Sequence, residues 1–97
     1  MRVIAIKTLS EFWRKEPDAK AELQAWYAEA SLADWRTPAD VKQHYGSASI
    51  LKGQRVVFNI CGNRYRLVVR INYAFRVVYL RFIGSHEAYD RIEAENV

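Results

Sequence analysis

The sequence predicts an α+β fold: a small antiparallel-rich sheet with N-terminal helices packed on one face and an open basic face. Three observations predict it. Apolar residues recur at helical spacing up to about residue 44, strand-type alternation takes over beyond residue 48, and the excess of positive over negative charge falls on the strand half. With 97 residues, of which 51% are hydrophobic, the chain is expected to form one domain spanning residues 1–97, with a single core and no separate cofactor domain.

The elements follow in order. Val3 and Ile4 mark a short first strand within the first six residues. Thr8 or Ser10 is then expected to cap a helix whose stripe is Leu9, Phe12 and Trp13 and which stops at Pro17. Asp18 is a second cap candidate. Ala19, Leu23, Trp26, Tyr27 and Ala30 continue at helical spacing through a run rich in Ala, Glu and Lys, and are read as core. Thr37-Pro38 pairs an N-cap with proline at the first helical position, opening a short helix that Gly46 ends.

Three strands are expected near 48–60, 64–72 and 75–83. Tyr65, Leu67, Val69 and Ile71 alternate with Arg64, Arg66, Val68 and Arg70, which gives one apolar face and one basic face. A two-residue Gly62-Asn63 turn sets Phe58 opposite Leu67, Val56 opposite Val69, Asn59 opposite Arg66 and Arg55 opposite Arg70. A two-residue Tyr73-Ala74 turn sets Val69 opposite Val78 and Arg66 opposite Arg81. Val56, Phe58, Leu67, Val69, Val78, Leu80 and Phe82 then lie under the helices. Arg55, Asn59, Arg64, Arg66, Arg70 and Arg81 share the open face with Val57, Val68, Val77 and Tyr79.

Charge distribution excludes several function classes. Residues 1–48 carry seven basic and seven acidic side chains, whereas the stretch from Ala48 to His86 has no acidic residue and contains Lys52, Arg55, Arg64, Arg66, Arg70, Arg76 and Arg81. Like charges directly across a sheet destabilise it, so an arginine pair there points to a polyanion as ligand. Cys61 is the sole cysteine, and with only two histidines there is no zinc spacing. His44 and Cys61 read as structural. The N-terminus has too few apolar residues for a signal or a membrane span, so no membrane partner and a cytoplasmic location are expected.

Cleaving a phosphodiester needs positive donors for the phosphoryl oxygens and groups that take and give protons. Arg66 and Arg81 supply the first. His86 follows the last strand, with Tyr89 at i+3, so both can address one phosphate if a helical turn begins there. RNA carries its own nucleophile in the 2′-OH, and no carboxylate cluster lies near the basic strands to bind Mg²⁺. The chemistry expected is therefore metal-independent attack that leaves a 2′,3′-cyclic phosphate, with no cofactor. The bland alternative is that the arginines splay into solvent or meet Asp90, Glu93 or Glu95 folding back, with His86 only packing.

The runs Val56-Val57-Phe58-Asn59-Ile60, Gly62-Asn63-Arg64-Tyr65-Arg66-Leu67 and Val78 to Asp90, with its ending His86-Glu87-Ala88-Tyr89-Asp90, resemble the HigB family of type II toxin–antitoxin toxins. The resemblance covers essentially the whole chain. It departs at Arg64, where a lysine is expected, and at Ser85, where a threonine is expected. It implies a RelE-like fold and an mRNA interferase that cuts mRNA on the ribosome and is neutralised by a helix-turn-helix antitoxin of the HigA kind. By the same resemblance Arg66 and Arg81 contact the scissile phosphate, and His86 and Tyr89 transfer protons. Lys52, Arg55, Arg64 and Arg70, with Asn59 and Asn63 beside them, position the RNA backbone. The rival reading is a non-catalytic RNA- or ribosome-binding module. A DNA-bound repressor role fits less well, because the helical half is charge-balanced and the charge sits on strands.

Overall fold

A computed structural model describes residues 1–97. Its elements are β1 (Arg2–Ile4), α1 (Ile6–Lys15), a 3-10 turn (Pro17–Ala19), α2 (Lys20–Leu32), α3 (Pro38–His44), β2 (Ser49–Ile50), β3 (Arg55–Ile60), β4 (Tyr65–Asn72), β5 (Val77–Ser85) and α4 (His86–Tyr89). The fold is α+β, with a five-stranded mixed sheet in the order β1-β5-β4-β3-β2. β1 runs parallel to β5, and the other three pairings are antiparallel. No helix is long and apolar enough to cross a membrane.

The helices form largely where the apolar spacing places them. Leu23, Trp26 and Ala30 are buried on α2, as are Leu9 on α1 and Val41 on α3. These side chains share one core with Val56, Phe58, Leu67, Val69, Ile71 and Val78 of the sheet. Each large side chain so buried stabilises the fold by about 1.5–3 kcal/mol. Phe58 lies at its centre: the Trp26 ring meets it edge-on with centroids 5.4 Å apart, and Trp35 stacks on it at 6.1 Å. Thr37 caps α3 in a reciprocal box with Asp40, with Pro38 at the first helical position. The expected cap on α1 is corrected: that helix begins at Ile6 after Ala5 with no side-chain cap, and the Ser10 hydroxyl donates within it to the Lys7 carbonyl. Asp18 likewise caps nothing; it lies in the 3-10 turn and accepts from the Tyr65 hydroxyl at 2.8 Å.

Between β3 and β4 the register is the one that the alternation predicts, from Arg55 opposite Arg70 to Ile60 opposite Tyr65. Two other expectations are corrected. The strand expected over 48–60 is broken at Gly53 and Gln54, both with positive φ, so that β2 folds back onto β3 with Ser49 opposite Val57. The β4–β5 turn contains four residues, Tyr73 to Arg76, because Asn72 pairs with Val77. Val69 therefore faces Leu80 and not Val78. A β-bulge between Val68 and Val69 then leaves Arg81 as the extra residue, since Val68 faces Phe82. Beyond the bulge, Arg66 faces Gly84 and Leu67 faces Ile83, so the expected Arg66–Arg81 pair does not form.

The bulge also reassigns side chains between faces. Ile83 packs against the main core, while Phe82, expected there, joins a second cluster with Val57 and Val68. Ala94 is buried in that cluster, and Leu51, Tyr89, Ile92 and Val97 pack around it. The face expected to be open is thus covered in part by the C-terminal segment. This segment covers the sheet with apolar side chains and not by pairing acidic residues with the arginines.

Candidate functional site

The end of β5 holds His86 and Tyr89 on the turn that follows it, with Arg66 across from Gly84, while Arg81 stands apart at the bulge. Ser85, the last residue of the strand, turns the chain into α4 by accepting the Ala88 N–H at 3.1 Å. The His86 N–H donates to the Arg64 carbonyl at 2.9 Å, so the start of α4 is tied to the start of β4. This short turn carries both His86 and Tyr89 and sets the Tyr89 ring beside Arg66. The Arg66 guanidinium lies 6.0 Å from the Tyr89 ring centroid, and its Nη1 donates to the carbonyls of Asn63 at 3.1 Å and Tyr65 at 3.3 Å. His86 Nδ1 stands 3.3 Å from Asp90 Oδ2. That contact leaves Nε2 of an exposed imidazole facing away from Asp90, available to a ligand.

Gly84 lets this corner close. A Cβ there would come within 2.7 Å of the Phe82 ring, so the ring lies over a glycine that is directly across from Arg66. The half-buried Arg66 is thereby flanked by Gly84 on one strand and Asn59 on the other. Arg81 is exposed and stands at the bulge, three residues before Gly84, which is roughly 10 Å along the strand.

The remaining positive side chains divide into two sets. Arg55 and Arg70 face each other across β3 and β4, with Arg55 held by the main-chain oxygen of Val97 at 2.7 Å. Arg70, Lys52, Arg66 and Arg81 make no ion pair with an acidic side chain. Arg64 and Arg76 are committed elsewhere. Arg64 pairs with Asp18 at 2.6 Å and lies over the Tyr65 ring at 5.6 Å, so it belongs to the corner with the 3-10 turn and not with Arg66. Arg76 reaches Asp34 at 2.5 Å, and its hydrogen bond, together with that of Arg36, holds the Asp34 carboxyl below the usual range. Asn63 is exposed in the turn, and Asn59 is half-buried.

A family model described as HigB toxin, the RelE-like toxic component of a toxin–antitoxin system, matches residues 19–92. The chain belongs to that family. It is 28% identical over 92 residues to the mRNA interferase toxin HigB of Escherichia coli strain K12, covering 93% of this chain and 88% of the relative. The mRNA interferase HigB of Shigella flexneri matches to the same extent, and that of Escherichia coli O6:H1 is 23% identical over 94 residues, covering 95% of this chain and 91% of the relative. The matched region contains Arg66, Arg81, His86 and Tyr89, whereas β1, α1 and residues 93–97 lie outside it.

Sequence reasoning missed the contribution of the C-terminal segment to this HigB corner. Ile92, Ala94 and Val97 close the apolar patch against which Tyr89 rests. Their signal is faint: three apolar side chains spaced among Arg91, Glu93, Glu95 and Asn96. His44 and Cys61 are placed as structural residues. His44 Nδ1 accepts from the Trp35 indole at 3.3 Å, and burial followed by the nearby Glu22 carboxylate pushes the Cys61 thiol up.

Proposed function

We propose that this chain is an mRNA interferase, a metal-independent endoribonuclease that cleaves mRNA on the ribosome and so inhibits translation. On this reading the whole chain acts as one cytoplasmic domain, with no cofactor, and is restrained by a helix-turn-helix antitoxin of the HigA kind. The observation that carries it is the approach of the Arg66 guanidinium to the Tyr89 ring at the β5–α4 corner, with an exposed His86 on the same helical turn. Membership of the toxin family and the activity named for its relatives support it.

The RNA face is the side of the sheet that carries Arg55, Asn59, Arg66 and Arg70, with exposed Lys52, Arg81 and Asn63 at its margins. Arg66 and Arg81 neutralise the phosphoryl oxygens as charge builds on phosphorus. Either His86 or Tyr89 removes the 2′-OH proton, and the other protonates the departing 5′-oxygen. A bond forms between the 2′-oxygen and phosphorus while the bond to the 5′-oxygen breaks, giving a 2′,3′-cyclic phosphate and a 5′-hydroxyl. Arg64, drawn to Asp18, contributes least.

The test is a pair of matched oligonucleotides presented on ribosomes, one all-RNA and the other with a single 2′-deoxy sugar at the cut site. Cleavage of the first and not the second, leaving a 2′,3′-cyclic phosphate end, is expected. Binding of both without cleavage would favour an RNA- or ribosome-binding module.

A further inference from the structure

On the helical side of the molecule lies a surface of opposite character. Residues 22, 25, 26, 29 and 32 of α2 fall at i, i+3, i+4, i+7 and i+10, one continuous stripe roughly 15 Å long. The stripe borders two adjoining hollows of about 520 and 250 Å³ that share Glu29 and are closed on the far side by α3, the α3–β2 loop and β3. Four carboxylates line them, those of Glu22, Glu29, Asp34 and Asp40, and no lysine or arginine does. Asp34 is offset by Arg36 and Arg76, which leaves Glu22, Glu29 and Asp40 as the excess negative charge. Such a surface repels nucleic acid.

It also has apolar anchorage. Leu32 is 89% exposed at the end of the stripe, and the buried Trp26 at the floor keeps its indole N–H without a partner. The basic sheet face is different, because its apolar residues are already covered by the chain's own C-terminal segment.

We propose that this cleft is the antitoxin-docking site, and that it receives a basic amphipathic helix of about three turns. The apolar row of that helix meets Leu32 and the stripe around Ala25, and its Lys or Arg side chains meet Glu22, Glu29 and Asp40. The inference rests on the toxin reading of the family and names the surface that the partner takes. This contact meets the RNA face only at Asn59, which lines the second hollow, and leaves Arg66 and Arg81 uncovered.

The test uses the antitoxin that restores growth on co-expression with this chain, purified and titrated into the full-length protein by calorimetry. Leu32→Lys combined with Gln43→Lys places two positive charges at exposed cleft positions that make no side-chain hydrogen bond, so the fold is kept. The double variant is expected to bind at least tenfold more weakly and to cleave RNA at the wild-type rate. Arg66→Ala with Arg81→Ala is expected to keep full antitoxin affinity. Affinity of the cleft variant within twofold of wild type overturns the proposal. So does a tenfold loss in the arginine variant, which would place the antitoxin on the sheet face. RNA cleavage is read separately, so failure of the nuclease reading is not confused with failure of the docking site.

Discussion

Val68→Ala separates a covered sheet face from an open one. Val68 is fully buried although it lies on the side away from the helices, under Ala94 and beside Phe82. Removing its two methyl groups forfeits roughly 1.6 kcal/mol at about 0.8 kcal/mol per buried carbon, and the cavity left behind raises the loss to roughly 2 kcal/mol. On a solvated face the same change would stay within about 0.5 kcal/mol. For a chain of this length the larger figure lowers Tm by about 8–16 °C. Urea unfolding of wild type, Val68→Ala and Val69→Ala, the last buried in the helix-side core, measures it. Comparable losses in both variants are expected. A loss near 2 kcal/mol in Val69→Ala with none in Val68→Ala would refute the second cluster and with it the role of the C-terminal segment.

Thr37→Ala removes the side chain that accepts the Asp40 N–H, and is expected to cost about 1 kcal/mol in the same urea titration. Tyr65 donates to Asp18 and Glu16, and chiefly the Asp18 bond pushes its phenol up to about 12. The unfolded chain releases that proton near pH 10, so wild type loses stability as pH rises from about 10 to 12; Tyr65→Phe should show a shallower fall across that window in pH-dependent denaturation. Arg66→Ala is expected to slow single-turnover RNA cleavage by about 10²–10³-fold, as loss of a transition-state donor does, while Arg64→Ala stays within a few-fold of wild type. Equal losses in the two variants would count against separating Arg64 from the site.

How far the sequence reveals the molecule depends on what marks each register. β3 and β4 alternate around a short turn, with only Val57 and Val68 apolar on the basic face, so a one-residue slip would bury an arginine, and their pairing was legible. β5 offers no such marker: Val77, Val78, Tyr79 and Leu80 are apolar on both faces, so neither the longer turn nor the bulge at Arg81 leaves a trace in the pattern. The bulge moved Phe82 to the other face, and the longer turn together with the bulge separated Arg66 from Arg81. The α3 cap was legible because Thr37, Pro38 and Asp40 are local chemistry, whereas α1 starts without a side-chain cap and gave no signal. At the candidate site, the placement of His86 and Tyr89 on one helical turn followed from their spacing. Arg64's departure to Asp18 did not, because the two are 46 positions apart in sequence.

The most direct measurement of the central claim is primer extension on a cellular mRNA after induced expression of wild type, His86→Ala and Arg81→Ala, with growth and soluble protein followed in the same cultures. Growth arrest with discrete mRNA cuts in wild type, both lost in the two soluble variants, is the predicted result; intact mRNA in cells that accumulate folded wild-type protein would contradict the account.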